Sequence, residues 1–122
     1  MLFSVQNRDT QILIADHVET ADTWKTRLKG LLGKTEMAEG YGLLIKPCRQ
    51  VHTFFMKFPI DVLFLDKENQ VVGLHADLAP WRLSAYHPSA LSTLELATGA
   101  IERSSTTPGH RLVFSPSNPE DR

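Results

Sequence analysis

Pro59-Ile60-Asp61-Val62-Leu63-Phe64-Leu65-Asp66 is the stretch on which the fold turns. Apart from Asp61 it is apolar on both faces, the pattern of a central strand covered on both sides. Asp66-Lys67-Glu68-Asn69 then reads as a turn and Gln70 to Leu74 as the returning strand of a hairpin. Upstream, Val51 to Met56 is β-branched and aromatic and predicts a strand, and Gly42 to Ile45 predicts another that ends at Pro47. Downstream, Ala79-Pro80-Trp81-Arg82 breaks the pattern, Leu91 to Leu96 resumes it and Thr98-Gly99 turns it. Pro108-Gly109 leads into a last strand over Arg111 to Phe114. At the start of the chain, Leu2 to Val5 and Gln11 to Ile14 form a second hairpin around Asn7-Arg8-Asp9, and Asp16 to Glu19 reads as a polar connection.

One helix stands out against these strands. Trp24, Leu28, Leu31 and Leu32 make a single apolar stripe at helical spacing. Thr20 or Asp22 can cap its start, Gly33 suits its end, and Lys34 lies where the helix dipole favours a cation. Many short strands with one helix in the N-terminal half predict a mainly β fold, an antiparallel sandwich or partly closed barrel. A βαβ arrangement is not expected, because one helix serves at most one crossover. The 122 residues suffice for one domain, over 1–115, with residues 116–122 as a flexible tail.

Composition narrows the function classes. Hydrophobic residues are 42% and charged residues 22%, as in an ordinary globular protein and unlike a disordered chain. No apolar run reaches the roughly 18 residues that a membrane helix needs. The formal net charge of −1 makes no global case for nucleic acid or a membrane surface, so neither is expected as a partner. Cys48 is the only cysteine, which rules out an intrachain disulfide. The first residues lack a basic stretch followed by an apolar one, so the expected location is cytoplasmic.

Pro47-Cys48-Arg49-Gln50-Val51-His52-Thr53-Phe54-Phe55-Met56 followed by Pro59 to Asp66 resembles the core motif of a prokaryotic family catalogued as domain of unknown function 192. Arg27-Leu28-Lys29-Gly30-Leu31-Leu32-Gly33, Pro80-Trp81-Arg82, and Leu94-Glu95-Leu96-Ala97-Thr98-Gly99 with the later Gly109 resemble its flanking motifs. The resemblance covers roughly residues 20–114. It implies a compact β-sandwich with jelly-roll character, and no established activity, cofactor or catalytic residue. His110 stands where relatives often carry an acidic residue.

Several residues attract chemical attention. Cys48, His52 and Met56 are spaced by four, and such side chains can ligate copper. Along a strand, four residues span about 13 Å, whereas ligands lie within about 2.5 Å of a shared metal. No metal site is therefore expected, and Cys48 and Met56 read as core residues. His52 is either a core histidine satisfied by a carbonyl or a neutral imidazole at the rim of a cleft. Asp61, inside the most apolar stretch, needs a cation or amide donors; Lys57, Arg27 and Arg49 are the cations at hand for a buried salt bridge. Glu95 alternates with Leu94 and Leu96 and is expected to face solvent; facing Asp61, it would divide acid and base roles with it.

Charge is distributed unevenly. Residues 23–57 carry seven Lys and Arg against two Glu, while the rest of the chain is net acidic. A cleft in that basic segment favours an anionic small molecule or a carboxylated sugar. Trp81-Arg82 sits on an expected loop, where an aromatic ring and a guanidinium can receive a sugar. There is no Gly-rich phosphate loop, Gly-x-Ser-x-Gly, Cys-x-x-Cys or His-Glu-x-x-His, so no cofactor is expected.

The reading is binding of a small polar or anionic, sugar-like ligand without catalysis. The candidate binding residues are His52, Asp61, Arg49, Lys57, Trp81, Arg82 and Glu95. One alternative is a hydrolase or lyase using His52, Asp61 and Glu95, which requires at least two of them to converge on one cleft. Another is a protein-interaction module that docks through a strand edge or an apolar patch.

Overall fold

Ile60–Leu65 is a strand, and all six of its residues are buried. Its side chains alternate between two hydrophobic clusters, so neither face is available to water. Leu63 and Leu65 belong to one cluster, and Ile60, Val62 and Phe64 to the other. The computed structural model describes residues 2–21 and 36–117. In chain order the elements are β1 (Phe3–Asn7), β2 (Leu13–Ala21), β3 (Tyr41–Ile45), β4 (Ile60–Leu65), β5 (Val71–Leu78), β6 (Ser92–Leu96), α1 (Ala100–Ser104) and β7 (Leu112–Pro116). Asp16 to Glu19, expected as a connection, belongs to β2, which also takes in Thr20. The remainder of the expected helix, Asp22 to Lys34, lies outside the described residues, as does Arg27.

The strands form one sheet in the order β5-β4-β6-β3-β2-β1-β7. The expectation of a purely antiparallel sheet is corrected here: β2 and β3 run parallel, with His17 opposite Tyr41 and Ala21 opposite Ile45. A parallel neighbour demands a long connection, and residues 22–40 supply it. The two edges of the sheet approach each other at one end. Val71 N donates to His110 O (2.8 Å), Gly109 N to Val71 O (2.8 Å) and Leu112 N to Asn69 O (2.9 Å), and Gln70 bridges Arg111. The result is a curled half-barrel rather than two stacked sheets.

The inner core draws on both ends of the sheet, including Val5, Val18, Leu63, Leu94 and Leu112, and is stopped by Ala100 and Ile101 of α1. The outer core lies on the convex face. There Leu43, Ile45, Val62 and Phe64 are covered by Val51, Met56, Phe58 and Ala90, which come from loops. Two loop segments, 46–59 and 79–91, therefore take the place that a second sheet occupies in a sandwich. Gly73 makes this cover possible. A Cβ there would fall on the ring of His87, which packs 4.1 Å from the ring of Phe64.

Val51 to Met56 is not a regular strand. His52 pairs with Leu83 in an isolated bridge, and the chain turns at Phe54-Phe55. The reason is local: Phe55 adopts a left-handed φ of 68°, which no extended strand accommodates. β7 runs to Pro116, and Ser117 N donates to Leu2 O (2.9 Å); residues 118–122 of the expected tail lie outside the described residues. Among the described residues, no helix is long and apolar enough to cross a membrane.

Candidate functional site

Thr53 organises the surface that stands out. Its side chain is fully buried, and its hydroxyl donates to Ala79 O (2.6 Å) while accepting from Arg82 N (2.9 Å). Its backbone is used as well: Thr53 N donates to Arg82 O (2.9 Å), and Thr53 O accepts from Trp81 N (3.0 Å). Ser84 N to Val51 O (2.9 Å) and His87 N to Arg49 O (2.9 Å) continue the ladder. The two loops are thus laced together along their length.

On this frame sits an aromatic ledge. His52 stacks on Phe54 (centroids 4.8 Å apart), Phe54 on Trp81 (6.1 Å), and Phe55 tilts against Trp81 (4.7 Å, 60°). Phe55 is 64% exposed, Trp81 56% and Leu83 60%. Trp81, like Phe55, holds a left-handed backbone, φ 61°. A bulky side chain in that region costs energy and persists only when its surroundings dictate it. Phe54 N donates to His52 Nδ1 (3.3 Å), which places the imidazole proton on Nε2. Arg82 is exposed beside Trp81; Arg49 lies further down the ladder, also exposed, with its Nε donating to Ala90 O (3.1 Å). Lys57 is exposed after the turn.

Asp61 and Glu95 do not join this surface, and they do not face each other. Asp61 lies opposite Leu96, on the inner side of the sheet, whereas Glu95 lies opposite Val62 and Leu43, on the outer side. The sheet itself separates the two carboxyls. Asp61 is 1% exposed and meets no cation among the described residues; it accepts instead from Asp77 N (2.9 Å) and Ile101 N (2.9 Å). The expected exposure of Glu95 is corrected: its side chain does point away from Leu94 and Leu96, but that face carries the outer core, so it is fully buried. Cys48 packs against the same outer core, as does the buried Met56.

Glu95 contributes to the electrostatics of the outer face through Tyr41. Burial raises the Tyr41 phenol well above its ordinary value, and its hydrogen bond to Glu19 and the charges of Glu19 and Glu95 push the same way. The Tyr41 hydroxyl donates to Glu19 Oε2 at 3.0 Å. A raised acid favours the folded state while it stays protonated in both states, so its contribution is present below the unfolded value of about 10 and is lost as pH climbs above it. Melting temperatures of the parent and Tyr41→Phe across that range will show the parent's advantage shrinking above about pH 10; parallel curves would refute it.

A second polar cluster has the outline of a nucleophile, base and orienting group but the wrong proton placement. Thr107 Oγ1 lies 3.2 Å from His110 Nε2, and Asn7 Nδ2 lies 3.1 Å from His110 Nδ1. Asn7 Oδ1 already accepts from Asp9 N (2.9 Å) and Thr10 N (3.0 Å), which orients the amide so that its nitrogen faces the imidazole. His110 Nδ1 is therefore an acceptor and Nε2 carries the proton, leaving no lone pair to receive one from Thr107. Asn7 is fully buried, and its Nδ2 also donates to Thr106 Oγ1 (3.0 Å). The cluster fastens the end of the half-barrel at which the two sheet edges approach.

Hollows of about 240, 330 and 480 Å³ lie near Arg103, near Lys46, and between Arg8 and Arg111; none of these three includes a candidate residue. Among the described residues, no group of His, Cys, Asp and Glu is arranged to hold a metal ion. Of the seven candidates, the ledge brings together His52, Trp81 and Arg82. Phe54, Phe55 and Leu83 join them without having been candidates. For the two phenylalanines the signal is their adjacency in an expected strand, where both cannot face one core; Leu83 carries none.

Comparison with known proteins agrees with the architecture. A solved structure of a protein of unknown function from Novosphingobium aromaticivorans superposes with a TM-score of 0.76 at 20% identity, covering 93% of this chain and 84% of that one. Another, from Sinorhizobium meliloti and described as a candidate transcription regulator, gives 0.74 at 22% identity, covering 92% and 91%. At such identities the likeness speaks for the fold alone. A UPF0127 protein of Thermococcus sibiricus is 34% identical over 91 residues, which are 70% of this chain and 57% of that relative's length. The family model described as "Uncharacterized ACR" matches residues 3–114, and the chain belongs to that uncharacterised family, DUF192.

Proposed function

We propose that the chain is a binding protein without catalysis, and that its ligand sits on the ledge formed by His52, Phe54, Phe55, Trp81 and Arg82. The observation that carries this reading is the locked exposure of the aromatic rings. Phe55 and Trp81 are kept open to solvent by strained backbone that buried Thr53 holds in place. Rigid loops on a β scaffold are where binding residues concentrate. The ligand class is small, polar and anionic, with a sugar-like ring or polyol. A ring face stacks on Trp81, and the anionic group meets Arg82. Separation of Asp61 from Glu95 by the sheet argues against the acid–base alternative.

Thermal-shift and tryptophan-emission titrations with sugars, sugar acids, nucleotides and glycerol phosphates test this reading. Anionic polyols are expected to raise the melting temperature and shift the emission of Trp81, with both effects lost in Trp81→Ala and Arg82→Ala. Binding that survives both substitutions would place the site elsewhere.

A further inference from the structure

Of the large apolar side chains exposed among the described residues, Phe54, Phe55, Trp81, Leu83 and Tyr86 lie on the two laced loops; Leu13 and Val113 do not. The same loops, 46–59 and 79–91, carry Lys46, Arg49, Lys57 and Arg82 and not one carboxylate. We infer that this ledge docks on an anionic phospholipid bilayer, with Phe55, Trp81 and Leu83 entering the interface and Arg82, exposed beside Trp81, meeting the headgroups. The inference rests on the ledge being the binding surface and names the ligand's source: a glycerol-phosphate headgroup presented by a membrane.

Three observations favour a bilayer over a free solute or a nucleic acid. Leu83 is as exposed as Trp81, and a polar solute gripped by rings and a guanidinium has no use for an aliphatic tip. The rings of Phe55 and Trp81 are tilted by 60° against each other, forming a wedge rather than a row of open faces on which successive bases stack. Aromatic and aliphatic tips flanked by Lys and Arg match the layering of an interface, where rings sit at headgroup depth and cations meet anionic lipid. The net charge of −1, from which no membrane partner is expected, averages over this face and conceals it. Rigidity helps as well, since the loops enter without ordering first.

Co-sedimentation with vesicles tests the inference, using phosphatidylcholine alone against equal parts of phosphatidylcholine and phosphatidylglycerol. Binding is expected only to the anionic vesicles, with a blue shift of emission that Trp81→Phe abolishes and added salt reverses. The double variant Phe55→Ser with Leu83→Ser is expected to bind about tenfold more weakly or worse, and Arg82→Ala about fivefold more weakly. Circular dichroism confirms that each variant is folded. No vesicle binding, together with an emission shift on adding free glycerol phosphate, overturns the membrane inference and leaves the ledge as a solute site. Binding to single-stranded oligonucleotide but not to vesicles overturns it in favour of nucleic acid. If no probe perturbs Trp81, the inference and the reading beneath it fall together.

Discussion

Asp61→Ala is expected to lower the melting temperature by about 10 °C, the largest effect of any single change outside the apolar core. The carboxylate accepts from two backbone amides, Asp77 N and Ile101 N, each at 2.9 Å. Asp77 sits in a β-bulge, where Ile60 and Val62 face Leu78 and His75, and its φ is 55°. Ile101 belongs to α1, the element that stops the inner core. One side chain thus joins the bulge, the central strand and the helix. Removing it leaves two amides without an acceptor, at roughly 1–3 kcal/mol each. For a domain of this size, about 3 kcal/mol corresponds to roughly 10 °C. Asp61→Asn restores one acceptor and opposes the other amide with an NH2 group, so its loss is expected to be intermediate. Calorimetry of the three proteins decides the matter. An Asp61→Ala protein that melts with the parent would mean that Asp61 is not a fastener.

Thr53→Val carries the second large effect, and here function changes with stability. Valine keeps the shape and removes the hydroxyl, which donates to Ala79 O and accepts from Arg82 N. The loss is expected to be about 1–3 kcal/mol. It falls on the loops, because both partners are loop backbone. Trp81 and Phe55 are then free to leave their left-handed conformations, so the ledge loses its preorganisation and its affinity for anionic vesicles or solutes drops about tenfold. Amide exchange at Trp81 and Arg82 is expected to quicken while exchange in β4 and β6 stays slow. Thr53→Ser, which returns the hydroxyl, is expected to recover most of both effects. Unchanged exchange and unchanged affinity in Thr53→Val would detach Thr53 from the ledge.

The buried strand Ile60–Leu65 was legible because an apolar run bounded by turn residues can satisfy itself only inside a sheet. The hairpin to β5 and the strand before Thr98-Gly99 followed from the same punctuation. α1 was not legible: five residues, Ala100–Ser104, are too few to show a period, and they are helical because Ala100 and Ile101 cap the inner core. The parallel pairing of β2 and β3 escaped as well, since side-chain alternation is identical in parallel and antiparallel strands. The burial of Glu95 is hidden from the sequence for a related reason. Alternation says that it opposes Leu94 and Leu96; whether the opposite face is wet depends on what covers it.

The candidate site divides along the same line. Trp81 and Arg82 were recognisable because proline and a break in pattern announce a loop, and His52 because an imidazole among apolar neighbours draws notice. Phe54 and Phe55 have the composition of a strand, which the left-handed backbone at Phe55 forbids.

Read alone, the chain of residues settles the local matters: a mainly β scaffold, its most buried strand, and the turns that bound the others. Solvent-driven alternation and turn chemistry act over a few residues, and a sequence displays them directly. Which strands become neighbours, which carboxylate lands on which side of the sheet, and which rings stay in water are decided by contacts between residues distant along the chain. The hydroxyl of Thr53 reaching Ala79 and the carboxylate of Asp61 reaching Ile101 are such contacts, and they exist only once the sheet has curled.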